Sequence, residues 1–157
     1  MIQFARLGLT AFGSDLSPAM IESAERNARQ EEVSINLRPA SFTAMTSAFK
    51  PDERFDAVIC LGNSLTLAPS EKEVALAITQ MHHVLNPGGL AVIHIFNWDK
   101  LAGEGLRIMP AAAASVEGRE TFFLRVFHYR GNAIDLHLVV MAKNDDGSVS
   151  TQTSTAV

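Results

Sequence analysis

Only one cysteine, Cys60, occurs in 157 residues, so an internal disulfide framework and a thiolate zinc cage are excluded. That usage fits a reducing compartment, and the cytoplasm is the expected location. An excess of charge is missing too. Thirteen Lys and Arg stand against seventeen Asp and Glu, a net charge of -4 spread without long runs. Neither a phosphate-tracking stripe nor a polybasic membrane patch is present, which argues against nucleic acid and membrane as partners. No run approaches the ~18 apolar residues of a membrane helix, and Met1 to Arg6 lacks the charged-then-apolar order of a signal peptide. The absence of a G-x-S-x-G elbow and a Walker loop removes the simplest hydrolase and nucleotide-hydrolase readings. No H-E-x-x-H or similar ligand spacing points to a metal; the five histidines read as core or surface residues.

What is present is a core-forming composition: 47% of the residues are apolar and 19% charged. At about 150 residues per domain, residues 1–157 are expected to form one domain or a piece of one. Residues 1–9 read as the tail of a helix with Gly8 near its end, Thr10 to Gly13 as a short buried strand and Ser14-Asp15-Leu16 as the loop leaving it. Ser17-Pro18 starts a helix, since the hydroxyl can accept an orphan backbone N–H and proline tolerates the first helical position; Ile21, Ala24 and Ala28 carry it to about Gln30. Val33, Ile35 and Leu37 alternate as a strand does. Phe55 to Leu61 is a nearly continuous apolar run of the kind found in a strand covered on both faces. A capping box, Ser70 and Glu73, opens a helix over 71–85, which Asn86-Pro87-Gly88-Gly89 ends before a buried strand, Leu90 to Phe96.

This βαβ alternation predicts an α/β fold with a doubly wound, mostly parallel sheet. Thr121 to Tyr129 and Ile134 to Ala142 read as a hairpin around Arg130-Gly131-Asn132-Ala133. Asn144 to Gly147 is a second turn leading into a Thr-rich stretch. Antiparallel strands are thus expected to finish the sheet, the last one at an edge. Lys100 to Gly118 reads as a loop or a short lid helix.

In such a sheet ligands bind outside the carboxyl ends of the strands, which selects four segments. Asp15 follows the first strand, where a carboxylate can accept hydrogen bonds from the two hydroxyls of a ribose; a surface acid near a helix start is the competing reading. Ser41 and Phe42 follow the second strand, with Phe42 equally readable as core. Leu61-Gly62-Asn63-Ser64 follows the central strand, and a glycine beside small polar residues suits close approach of a ligand to backbone, or an ordinary turn. Asn97-Trp98-Asp99 follows the last parallel strand, where the lone tryptophan could wall a pocket or close the core.

Taken together, Thr10 to Met20 (TAFGSDLSPAM), Phe55 to Leu65 (FDAVICLGNSL) and Leu85 to Asp99 (LNPGGLAVIHIFNWD) resemble the class I S-adenosylmethionine-dependent methyltransferases, with the glycine N-methyltransferase-like small-molecule enzymes as the nearest subgroup. The resemblance spans about residues 5–150. It implies S-adenosylmethionine as cofactor and a small-molecule methyl acceptor. Asp15 would bind the ribose, Leu16 and Met20 would line the adenine, Ser41 and Phe42 would sit at the adenine edge, and Leu61, Gly62 and Asn63 would lie along the methionine portion. Substrate contacts would fall to Ser64, Asn97, Trp98 and Tyr129. No general base is singled out, and assembly with further copies of the chain stays open.

Three departures accompany the resemblance. The family's glycine-rich loop should precede the acidic residue by about 20 residues, whereas 14 residues precede Asp15. The first strand and that loop are therefore expected to be missing, in a truncated chain that is inactive or weakened. Ser41 stands where many relatives carry an aspartate. Phe96 stands where the nearest relatives carry a carboxylate-clamping arginine, which makes glycine a poor substrate. Two other readings compete: a non-catalytic Rossmann-like interaction module, and a fragment of an NAD-dependent oxidoreductase.

Overall fold

The computed structural model describes every residue except Glu117, Asn132 and Val157. It divides into two compact units, Met1–Ile95 and Phe96–Val157. The first begins with a short helix, α1 (Ile2–Arg6), then β1 (Phe12–Asp15), α2 (Pro18–Gln30) and β2 (Asn36–Pro39). Residues Phe42–Ala44 form a 3-10 turn into α3 (Met45–Ala48), followed by β3 (Phe55–Cys60), a second 3-10 turn at Ser64–Leu67, α4 (Glu71–Val84) and β4 (Leu85–Ile93). Both long helices start where the caps predict. Ser17 Oγ accepts from the Met20 N–H at 3.4 Å with Pro18 in the first turn, and Ser70 Oγ accepts from the Glu73 N–H at 3.2 Å.

The strands are parallel in pairs, β1 with β2 and β3 with β4, instead of in one continuous ladder. A ladder needs a hydrogen-bonded neighbour at every step, and among the described residues no strand bridges the two pairs. α4 supplies three of the seven buried residues of the core cluster that includes Cys60 on one face of β3. Ala77, Met81 and Val84 pack with Met45, Phe49, Cys60 and Leu65, and Phe12, Phe55 and Val58 lie against them. The rings of Phe12 and Phe55 meet edge-on at 5.2 Å and those of Phe49 and Phe55 at 5.0 Å. The other face of β3 is not covered as its apolar run predicts: Ile59 is 40% exposed, and its register partner Val92 37%.

Several boundaries differ from expectation: β2 covers Asn36–Pro39 where the alternation predicts Val33 to Leu37, and β4 ends at Ile93, short of Phe96. β1 runs two residues later than predicted because its register with β2 pairs Phe12 with Asn36 and Asp15 with Pro39, which puts Asp15 inside the strand. β4 begins already at Leu85. Phe55 pairs with Leu85 and Ala57 with Leu90, so residues 86–89 bulge opposite Asp56, held by a 2.9 Å hydrogen bond from Asn86 Nδ2 to Asp56 Oδ1. Gly89 is needed there, since a Cβ would fall 2.9 Å from the Asn86 carbonyl oxygen and 3.2 Å from that of Asp56.

The second unit contains α5 (Trp98–Gly103), β5 (Ala112–Val116), β6 (Arg119–Arg130), β7 (Ala133–Lys143) and β8 (Val149–Ala156). The four strands form their own antiparallel sheet in the order β5-β6-β7-β8, with β8 at an edge as expected but without continuing a parallel ladder. β5 lies in the stretch read as a loop or lid; it is held by pairing to β6, Ala112 opposite Phe123 and Val116 opposite Arg119. Asn132 of the expected hairpin turn and Glu117 of the expected linker lie outside the described residues. Phe127, at 2% exposure, is the best-buried side chain of this unit, and the Trp98 ring meets it edge-on at 5.1 Å.

Candidate functional site

At the carboxyl ends of β1 and β2 the backbone brings two of the four segments together. The Ala40 N–H donates to the Asp15 carbonyl at 3.1 Å, so Ser41 starts one residue from the end of β1. The Asp15 carboxylate is held by its own loop, with the Ser17 N–H donating to Oδ1 at 2.8 Å. This leaves Oδ2 without a partner among the described residues. Beside it, Leu16 is 75% and Met20 57% exposed. Two large apolar side chains next to an exposed carboxylate offer a surface for a flat ring attached to a sugar diol. Ser41 Oγ shares a hydrogen bond with Thr43 Oγ1 at 3.1 Å, and Phe42 packs partly buried on the core cluster that also contains Leu65. Phe42 is thus a core residue and a neighbour of the strand ends at once.

Past β3 the chain makes its sharpest turn. Gly62 and Asn63 are consecutive residues with positive φ, 75° and 71°. Glycine adopts this conformation freely and asparagine tolerates it better than most residues. Asn63 is 6% exposed, and its N–H donates to the His94 carbonyl at 3.2 Å while the His94 N–H donates to the Cys60 carbonyl at 2.9 Å. The turn is thereby laced to the end of β4. No heavy atom lies within 4 Å of where a Gly62 Cβ would be, so the glycine is demanded by conformation and the backbone stays open to a ligand. Leu61 is exposed, and Ser64 Oγ donates to the Leu61 carbonyl at 3.0 Å. Burial pushes the Cys60 thiol up, partly offset by a hydrogen bond from the Leu65 backbone, which fits an inert side chain.

Met20 lies in the first turn of α2, and Asp15, Leu16, Ser41, Phe42, Leu61, Gly62, Asn63 and Ser64 lie at strand ends of the first unit. Asn97, Trp98 and Tyr129 belong to the second, and each has a local structural task there. Asn97 caps α5, its Oδ1 accepting from the Lys100 N–H at 3.0 Å. Trp98 is wedged between Phe96, at 5.4 Å, and Phe127. Tyr129 donates its hydroxyl hydrogen to the Leu106 carbonyl at 2.7 Å. One residue that the sequence reasoning passed over, Thr66, hydrogen-bonds both the side chain and the carbonyl of Asn63. The only signal for it was an Asn-x-x-Thr spacing at the start of a helical turn. Among the described residues no group of His, Cys, Asp or Glu could hold a metal ion, and no helix is long and apolar enough to cross a membrane.

Residues 1–89 match the family model described as a methyltransferase domain. A glycine/sarcosine N-methyltransferase of Parasynechococcus marenigrum is 31% identical over 104 residues, covering 66% of this chain and 36% of the relative. Glycine N-methyltransferase of Mus musculus is 31% identical over 113 residues, covering 66% and 39%. The chain thus spans well under half the length of these curated relatives. Among solved structures, a sugar N-methyltransferase of a Streptoalloteichus species superposes with a TM-score of 0.68 at 27% identity, over 94% of this chain and 56% of that one. An amino pentose methyltransferase of Micromonospora echinaspora, described as bound to S-adenosylmethionine, gives 0.62 at 21% identity over 94% and 59%, a likeness of fold. These neighbours are Rossmann-like methyltransferases, and neither the interaction-module nor the NAD-oxidoreductase reading is favoured. The match over more than half the chain makes it a member of the class I S-adenosylmethionine-dependent methyltransferases.

Proposed function

We propose that the protein transfers the methyl group of S-adenosylmethionine to an amine of a small molecule. The observation that carries the reading is the Asp15 loop: a carboxylate at a parallel strand's end with one oxygen fixed by the Ser17 N–H and the other turned to no partner among the described residues, flanked by exposed Leu16 and Met20. A vicinal diol donates two hydrogen bonds to such a group, and aliphatic side chains shelter an adenine. Ser41 and Phe42 border the adenine, while Leu61, Gly62 and Asn63 offer backbone to the methionine portion. When bound, the cofactor supplies a methyl on a positively charged sulfur that leaves as a neutral thioether.

The chain's own task is positioning, which can remove ~7–11 kcal/mol of a barrier when reacting groups are aligned. Ser64, beside the Gly62-Asn63 turn, is the proposed acceptor contact of the first unit, whereas Asn97, Trp98 and Tyr129 are engaged in the local contacts of the second. The acceptor amine must arrive unprotonated, and Ser64 is one hydroxyl able to orient it by hydrogen bonding. Amine acceptors are favoured because the relatives are named as N-methyltransferases. Glycine is disfavoured, since Phe96 packs its ring on Trp98 and offers nothing to a carboxylate. Titration with S-adenosylhomocysteine, followed by NMR, tests the reading. Asp15→Ala should weaken binding roughly tenfold or more, the loss expected for a charged hydrogen bond, and NAD should not compete. Unchanged binding by the variant, or displacement by NAD, would overturn it.

A further inference from the structure

The turn after β3 puts a non-glycine residue in the left-handed region, a conformation that persists only where neighbours hold it. The Thr66 side chain is one of the groups that hold Asn63. Thr66 Oγ1 accepts from Asn63 Nδ2 at 2.6 Å and donates to the Asn63 carbonyl at 2.8 Å, while the Thr66 N–H donates to the same carbonyl at 3.2 Å. A single hydroxyl therefore uses its proton on the backbone of Asn63 and a lone pair on its side chain. This fixes both at a residue that is 6% exposed, where a lost partner is expensive. Further anchors of the turn are independent of that hydroxyl: the Asn63 N–H donates to the His94 carbonyl at 3.2 Å, and Leu65 is 5% exposed in the core cluster.

We infer that Thr66 is a positioning residue for cofactor binding, its hydroxyl locking Asn63 in the left-handed conformation that turns the Gly62-Asn63 backbone toward the methionine portion. The inference rests on the proposed methyl-donor site. Thr66→Val keeps the shape of the side chain and removes both hydrogen-bonding functions; Thr66→Ser keeps both. Leu65 should leave the fold of either variant intact.

Two readouts on the whole 157-residue chain separate this inference from the cofactor reading. In an S-adenosylhomocysteine titration run well below the melting transition of each variant, Thr66→Val should bind roughly tenfold more weakly than the unaltered protein and Thr66→Ser within about twofold. Equal binding by Thr66→Val, or loss of binding in both variants, overturns the positioning role. If the unaltered chain binds no S-adenosylhomocysteine at millimolar concentration, the cofactor reading fails by itself. The Asn63 side-chain amide then decides the lock. Its protons should be slow to exchange in the unaltered protein and in Thr66→Ser but fast in Thr66→Val, and equal exchange in all three overturns it.

Discussion

At the scale of single residues, the carboxylates of this chain have different surroundings. Asp135 on β7 faces the guanidinium of Arg130, which donates from Nε at 2.7 Å and from Nη2 at 2.6 Å, and the His128 ring stands 3.7 Å away. The hydrogen bond from Arg130 holds the Asp135 carboxyl below its ordinary value, helped by the positive charge of Arg130 and of the nearby histidines. A carboxylate with a lowered folded-state value stabilises the fold at pH above its unfolded value, about 3.9, and that contribution disappears as pH falls through the folded value. Arg130→Ala should therefore raise the Asp135 midpoint towards the ordinary carboxylate range, read from its side-chain carbon shift in an NMR titration. It should also flatten the loss of stability on acidification below about pH 4. An unchanged midpoint would show that the pair does not persist in solution.

At the scale of elements, the two long helices were legible, the short α3 was not, and the strands were only partly so. A cap is local: Ser17-Pro18 and Ser70-x-x-Glu73 state where a chain can turn helical, and α2 and α4 begin there. Ser70→Ala should accordingly cost about 1 kcal/mol, seen as a lower urea midpoint at unchanged slope. No change in the midpoint would mean that water replaces the cap at no cost. Strand limits depend on a partner remote in sequence. The register with β2 moves β1 onto Asp15, and pairing with β6 makes a strand of alanines 112–114, which show no alternation to read. The candidate site was legible to the same degree. Asp15 and Gly62-Asn63 could be found because strand ends are where such sheets bind ligands. Thr66 could not, because its role follows from the left-handed backbone of Asn63, which no periodicity announces. Trp98 had two readings, and its packing between Phe96 and Phe127 gives it a core task in the second unit.

At the scale of the whole molecule, residues 1–157 were read as one domain, while their contacts gather into two units. One domain predicts a single cooperative transition in calorimetry with equal calorimetric and van't Hoff enthalpies; two resolved transitions would show that the units fold apart. Within the first unit, effects can also reach further than contacts do. Residues 86–89 bulge against Asp56 at the start of β3, whereas Asn63 meets His94 beyond its end. Four residues of strand, about 13 Å at 3.3 Å each, lie between. The bulge acts as an index mark on a slide rule: it sets the alignment of β3 and β4 at one end, and the height of the Gly62-Asn63 turn is read off at the other. A side chain added at Gly89 would press on the carbonyls of Asn86 and Asp56, away from the Gly62-Asn63 turn of the candidate site. Its effect would nonetheless arrive there, as a turn presented at the wrong level.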